Sequence, residues 1–216
     1  MQMKILTPIL LFIFLIIIMS CQKKDDLPPL LTLKGSDTIV HILNSKYVDE
    51  GATATDETDG NISSNIYIDN QVNENKIGEY TVTYHVVEQA GNEANPITRW
   101  VSVKNQGDIY SGYYSLKEIQ LYPSNALCQY DIATNVDSTR NFGLIFSNFA
   151  CSFNQAVFAQ VSDTNIILPY QVIADSVTSF TLTGSGFIND SIININYTLT
   201  KNNIPEFWNA TFERTE

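Results

Sequence analysis

The chain opens with an almost unbroken apolar run over residues 5–19, and from Leu30 onward it changes to short alternations of apolar and polar residues. The cleanest alternation is 80–88. Tyr80, Val82, Tyr84 and Val86 share one face and Thr81, Thr83 and His85 the other, a period of two that predicts a half-buried strand. Residues 31–33, 39–43 and 99–103 predict further strands, the last with Val101 and Val103 inward and Trp100 on the opposite face. Gly35-Ser36, Asn44-Ser45 and Ala90-Gly91-Asn92 supply turns. Beyond a short polar boundary, Asn105-Gln106-Gly107-Asp108, alternation predicts strands over 112–121, 128–135, 141–146, 156–161, 165–168, 179–183, 191–200 and 208–214. A hairpin is predicted over 186–191, with Asn189-Asp190 at its tip. Long helical periodicity is absent, so the fold class is all-β. The pattern divides into a β-sandwich over 30–104 and a small antiparallel β-barrel or sandwich over 108–216. Closure into a barrel would leave no exposed edge strand.

The amino-terminal run is a targeting segment. About 15 apolar residues fall short of the roughly 20 that a membrane span needs, and Lys4 supplies the short positive start of a signal peptide. Ile18-Met19-Ser20-Cys21 resembles the bacterial lipobox, with Met19 where a smaller residue is more usual. The resemblance implies a signal peptide over 1–20 that is cleaved before Cys21, and fatty acylation (palmitate-type chains) of Cys21 as the anchor in outer-membrane lipid. Several acyl chains hold durably where a single one is marginal. Lys24, Asp25 and Asp26 resemble the lipoprotein export signal of the Bacteroidota, which implies the outer face of the outer membrane. Residues 21–29 are then the lipidated Cys and its tether, ending in Pro28-Pro29 and reaching at most about 25 Å.

Charge narrows the partners. The 216-residue chain carries a net charge of −11; without Lys4 it holds 11 basic and 23 acidic residues, or −12. Nucleic-acid binding rests on neutralising phosphate, so nucleic acid is not an expected partner, and anionic lipid gains nothing from such a surface. With Cys21 used by lipid, Cys128 and Cys151 are an even pair in an oxidising compartment. They are either a disulfide or two buried thiols acting as small hydrophobes.

Two family resemblances follow. Tyr47-Val48-Asp49-Glu50-Gly51-Ala52-Thr53-Ala54, Asp59-Gly60-Asn61-Ile62, Ile77-Gly78-Glu79-Tyr80-Thr81-Val82-Thr83-Tyr84, Gly91-Asn92 and Arg99-Trp100-Val101-Ser102-Val103 together resemble the bacterial Ig-like domain found in many surface proteins and a pesticidal crystal protein, related to hyalin repeats. Glu88 departs from the Asp usual before the Gly-Asn turn. The resemblance implies an immunoglobulin-like sandwich used as a spacer or adhesion module. Tyr110-Ser111-Gly112-Tyr113-Tyr114, Ser147-Asn148-Phe149, the 165–171 run ending in Pro169-Tyr170-Gln171, Gly184-Ser185-Gly186 and Ile195-Asn196-Tyr197-Thr198 are similar to lipocalin-like domains of Bacteroidota lipoproteins, which implies a barrel. Four Asp-Ser/Thr-apolar tripeptides, beginning at Asp37, Asp137, Asp175 and Asp190, resemble O-glycosylation sites of the same phylum.

Catalytic constellations are sparse. His41 and His85 lack partners at metal spacing, Gly184-Ser185-Gly186 is not a nucleophile elbow, and the second domain has no His to activate a serine. No cofactor is expected. The acids Asp49, Asp56 and Asp59 are weak calcium candidates, because their spacing departs from the calcium-loop pattern. Aromatic residues with one apolar and one polar end suit recognition, which singles out Trp208, Tyr113 and Trp100 as candidate ligand-binding residues, each also readable as core or solvated. The expectation is a non-catalytic cell-surface lipoprotein in which an Ig-like spacer presents a β-barrel binding module for glycan or surface protein. The alternatives are a spacer or adhesin without a small ligand and, last, a hydrolase.

Overall fold

The computed structural model describes residues 24–151, 155–174 and 179–215; Cys21 and the signal segment lie outside the described residues. Packing divides the chain into two compact units. One comprises Glu50–Asp69, Thr83–Thr98 and the stretch ending at Gly35; the other comprises Ser36–Asp49, Asn70–Val82 and Arg99–Glu216.

Seven strands make up the first part of the chain: β1 (Leu30–Leu33), β2 (Thr38–Ile42), β3 (Ala52–Asp56), β4 (Gly60–Asn61), β5 (Tyr67–Asn70), β6 (Gly78–His85) and β7 (Ile97–Lys104). They form a three-stranded sheet in the order β1-β3-β4 and a four-stranded sheet in the order β2-β7-β6-β5. Alternation decides which side chains go inward. In the first unit Leu31, Ala54, Tyr84 and Val86 are buried, and in the second Leu43, Val82, Val101 and Val103. β2 pairs in parallel with β7, setting Thr38 opposite Trp100. Arg99 is fully buried. Its guanidinium pairs with Asp49, and its Nε–H donates to the Ser36 carbonyl at 2.9 Å. A buried cation is stable only with such partners.

The polar stretch at the domain boundary is docked rather than loose. Asn105 is buried; its Nδ2 donates to the Asp137 and Arg140 carbonyls, both at 2.8 Å. Its Oδ1 accepts the Gly107 and Phe142 N–H groups at 2.8 and 2.7 Å. A short 3₁₀ turn, Gln106–Tyr110, follows.

Eight strands then close into an antiparallel barrel: β8 (Gly112–Tyr122), β9 (Leu127–Val136), β10 (Gly143–Phe146), β11 (Val157–Ser162), β12 (Asn165–Ala174), β13 (Ser179–Asn189), β14 (Ile192–Lys201) and β15 (Ile204–Arg214). Each strand pairs with its neighbours in sequence, and β15 pairs with β8. The barrel alternative therefore holds over the sandwich, and no strand is left as an edge. Two strands run more than five residues past their predicted carboxy-terminal ends. β12 continues past Pro169, which cannot donate to a ladder, through a register shift between Leu168 and Gln171. There the Gln171 side chain takes over the pairing, its Oε1 accepting the Phe158 N–H at 3.0 Å and its Nε2 donating to the Phe158 carbonyl at 2.9 Å. β13 runs through Gly184-Ser185-Gly186 to Asn189, and a Cβ at Gly186 would lie 1.7 Å from the Asn194 carbonyl oxygen. Glycine there admits a close approach of β14 instead of ending the strand.

Cys128 on β9 and Cys151 after β10 are joined by a disulfide across 23 residues. Replacing both with serine is expected to reduce unfolding free energy by about 3 kcal/mol, from the larger freedom of the unfolded chain. The readout is a lower urea midpoint for the barrel; an unchanged midpoint would contradict the crosslink.

Candidate functional site

At one end of the barrel interior the inward positions of β8, β9 and β14 turn polar. Leu116 and Glu118 follow one another on the inner face of β8, and Glu118 is fully buried. Three donors converge on its carboxylate. Tyr197 O–H donates to Oε1 at 2.9 Å, and Tyr130 O–H and the Cys151 backbone N–H donate to Oε2 at 2.7 and 2.8 Å. Burial pushes the Glu118 carboxyl above its ordinary range, the three donors pulling only partly back. Burial, and then the Glu118 charge, push both phenols upward, so both tyrosines remain donors through the physiological range.

This carboxylate holds a plug. After β10 the chain turns back with Ala150 and Cys151 in left-handed conformations, φ 66° and 51°. Phe149 is thereby driven into the barrel, where it is fully buried. Its ring lies 5.6 Å from that of Phe146, 5.8 Å from Phe212 and 4.8 Å from Tyr197. The Cys151 N–H on Glu118 and the Cys128–Cys151 bridge fasten the far side of this turn. Beside it lies a second polar group. Gln120 Nε2 and Trp208 Nε1 both donate to Glu206 Oε2, at 3.0 and 3.1 Å, and Ser124 O–H donates to the Gln120 carbonyl oxygen. With its acceptors engaged and no exposure, Glu118 is placed to lock the fold rather than to meet a substrate.

An accessible feature of the barrel is a shallow groove of about 560 Å³ at β13, β14, β15 and β8, lined by Leu121, Thr183, Ser185, Asn196, Thr198 and Phe207, with Gly184, Tyr197 and Trp208 behind. Its lining carries no charge. Hydroxyl and amide groups stand beside the exposed faces of Leu121 and Phe207, and Asn209 Nδ2 orients Asn196 by donating to its Oδ1 at 2.9 Å.

The sequence candidates are placed as follows. Trp208 is buried on the inner wall, 7% exposed, its ring stacked 6.2 Å from Tyr197; it touches the groove only from behind. Trp100 and Tyr113 are exposed, but neither lines the groove. Asp49 is taken by Arg99 and by the Tyr47 hydroxyl, which donates to it at 3.1 Å. Asp59 Oδ2 accepts the Gln89 N–H at 3.0 Å, and Asp56 Oδ1 accepts the Thr58 and Asp59 N–H groups, both at 2.8 Å. Lys24 pairs with Asp26 at the surface, at 2.6 Å. Glu118 is the residue that sequence reasoning missed. Its signal was an acid in phase with inward Tyr114 and Leu116 on a strand, where only a partnered carboxylate is tolerated.

Because the Glu118 carboxyl is raised in the folded state, its contribution to stability is full below the ordinary carboxylate range. That contribution is lost as pH rises through the raised value. Glu118→Gln is therefore expected to flatten the fall in melting temperature between pH 4 and pH 8 relative to wild type. Parallel curves for the two proteins would contradict this.

Residues 31–103 match the family described as bacterial surface protein, Ig-like domain. No curated protein matches the chain. Among solved structures, similarity is found to the lipoprotein BT2262 of Bacteroides thetaiotaomicron: 18% identity, 85% of this chain and 98% of that one, TM-score 0.36. It is also found to CBM51-2, solved with GlcNAc and with INT domains, from Clostridium perfringens ZmpB: 17% identity, 87% of this chain and 44% of that one, TM-score 0.29. A third is BF2706 of Bacteroides fragilis: 10% identity, 87% and 94%, TM-score 0.34. These likenesses are too distant to carry an argument about function. Over residues 31–103, then, the chain is similar to the bacterial surface protein Ig-like domain.

Proposed function

We propose that the protein is a non-catalytic surface lipoprotein, anchored in outer-membrane lipid through Cys21, in which the Ig-like domain is a spacer and the outer wall of the barrel binds glycan. The observation that carries this reading is the uncharged groove beside Phe207. Aromatic and aliphatic faces accept the C–H surfaces of a sugar ring, while the Thr183, Ser185, Asn196 and Thr198 side chains offer hydrogen bonds to its hydroxyls. The surface-protein type of the Ig-like domain supports exposure to the environment. The strong negative charge gives nucleic acid no purchase.

A second reading, a spacer or protein adhesin without a small ligand, is favoured by one specific observation: Phe149 fills the barrel interior. Hydrolysis finds less support, since Glu118 is fully buried.

The test is a screen of the full chain in detergent against polysaccharides and glycans. Saturable binding is expected, weakened about tenfold by Phe207→Ala, a loss of roughly 1.4 kcal/mol, and left unchanged by Trp100→Ala. A panel without saturable binding would move the assignment to the protein-adhesin reading.

A further inference from the structure

Away from the barrel, three carboxylates converge: Asp25 from the tether, Asp56 at the end of β3 and Glu88 after β6. One oxygen of each lies within 4.8 Å of the other two. The three are held there by separate devices. The Asp56 carboxylate is fixed through Oδ1 by the turn that follows it, where the Thr58 and Asp59 N–H groups donate. Asn92 Nδ2 donates to Glu88 Oε1 and reaches the Asp25 and Leu27 carbonyls at 3.0 and 3.4 Å, so a single amide binds both Glu88 and the tether. Asp25 Oδ1 accepts the Leu27 N–H at 3.3 Å.

Convergence of acids alone would be unremarked on an acidic surface, but Glu88 is 5% exposed, and its Oε2 is buried with no hydrogen-bond partner among the described residues. No lysine or arginine among the described residues pairs with any of the three acids; Lys24, the nearest in sequence, pairs with Asp26. Burial, with the charges of Asp25 and Asp56 added, raises the Glu88 carboxyl, whereas the Asp59 N–H holds Asp56 below its usual range. A buried oxygen without a donor, on a carboxylate beside two like charges, is costly. A hard cation relieves both costs at once.

We propose that Asp25, Asp56 and Glu88 form a calcium site that clamps the tether to the Ig-like domain. The donor set is all oxygen, which suits calcium and not the metals that seek imidazole or thiolate. Three carboxylates leave further positions for water within the six to eight that calcium takes, and a site of this kind falls in the weak class of extracellular modules, with Kd of about 0.1–1 mM. Asp25 is the significant ligand for function, since it belongs to the tether that leads to Cys21. Calcium then fixes residues 24–27 against the domain, and its loss frees them.

The test is calorimetric titration of the full chain in detergent, freed of metal by chelation, with calcium chloride at neutral pH. One saturable event with Kd below about 1 mM is expected. Glu88→Gln and, independently, Asp25→Asn should each weaken it at least tenfold, while Glu57→Gln, at an exposed acid of the same loop, should leave it unchanged. Asp25→Asn changes only the tether and so guards against a folding defect in the Glu88 variant. Hydrogen exchange at Leu27 should slow when calcium is added. Absence of saturable heat would overturn the proposal, as would wild-type affinity in both variants. A cluster that responds to protons only, losing stability as pH rises through the Glu88 titration with no effect of calcium, would overturn it equally.

Discussion

The barrel depends on one carboxylate taken out of water. Glu118 is stable inside only because Tyr130, Tyr197 and the Cys151 N–H all donate to it, and those donors belong to β9, to β14 and to the turn after β10. Moving Tyr197 would leave the buried Oε1 unpaired, a cost of about 1–3 kcal/mol, and moving Tyr130 or the Cys151 N–H would leave Oε2 with one donor of two. The network thus ties one end of the barrel together and fixes the turn that carries Phe149 inward. The disulfide fastens the same turn covalently. Polar satisfaction, aromatic packing and crosslink agree on one placement of one loop.

That placement has a consequence for the barrel interior. A barrel of eight strands can hold a small ligand or fill itself with side chains; this one fills itself. Phe146, Phe149 and Phe212 are fully buried together, with Tyr197 and Trp208 beside them. On the outside wall Leu121 and Phe207 stand exposed among hydroxyl and amide groups. In the Ig-like segment the buried cation Arg99 is neutralised by Asp49, and Glu88, which keeps a buried oxygen without a hydrogen bond, lies beside the tether.

Much of this was legible in the chain because burial in a half-exposed strand leaves a period of two. Val82, Tyr84 and Val86, like Val101 and Val103, went inward where the alternation put them, and the Asp190 turn sits at the expected hairpin tip, with φ 53°. What failed was the reading of punctuation. Pro169 and the glycines of 184–186 look like strand ends, yet both lie within strands. In one case a Gln side chain replaces the missing backbone donor, and in the other β14 passes too close for a Cβ. Nor could the candidate site be read out. Trp208 looks like a ligand platform from composition, but its phase with Ala210 and Phe212 puts it on the inner wall. The convergence of Asp25 with Glu88, 63 positions apart, is set by Asn92 and has no local signature.

The central claim is that side chains fill the barrel interior. Trp208, buried against Tyr197, is a reporter of that interior, and Trp100→Phe leaves it the sole tryptophan of the chain. Titration of this variant with a long-chain fatty acid, followed by Trp208 emission, is the direct test. The account predicts an emission maximum that stays in place throughout the titration. A saturable, one-to-one shift or quench would show that the barrel opens to an internal ligand and would contradict it.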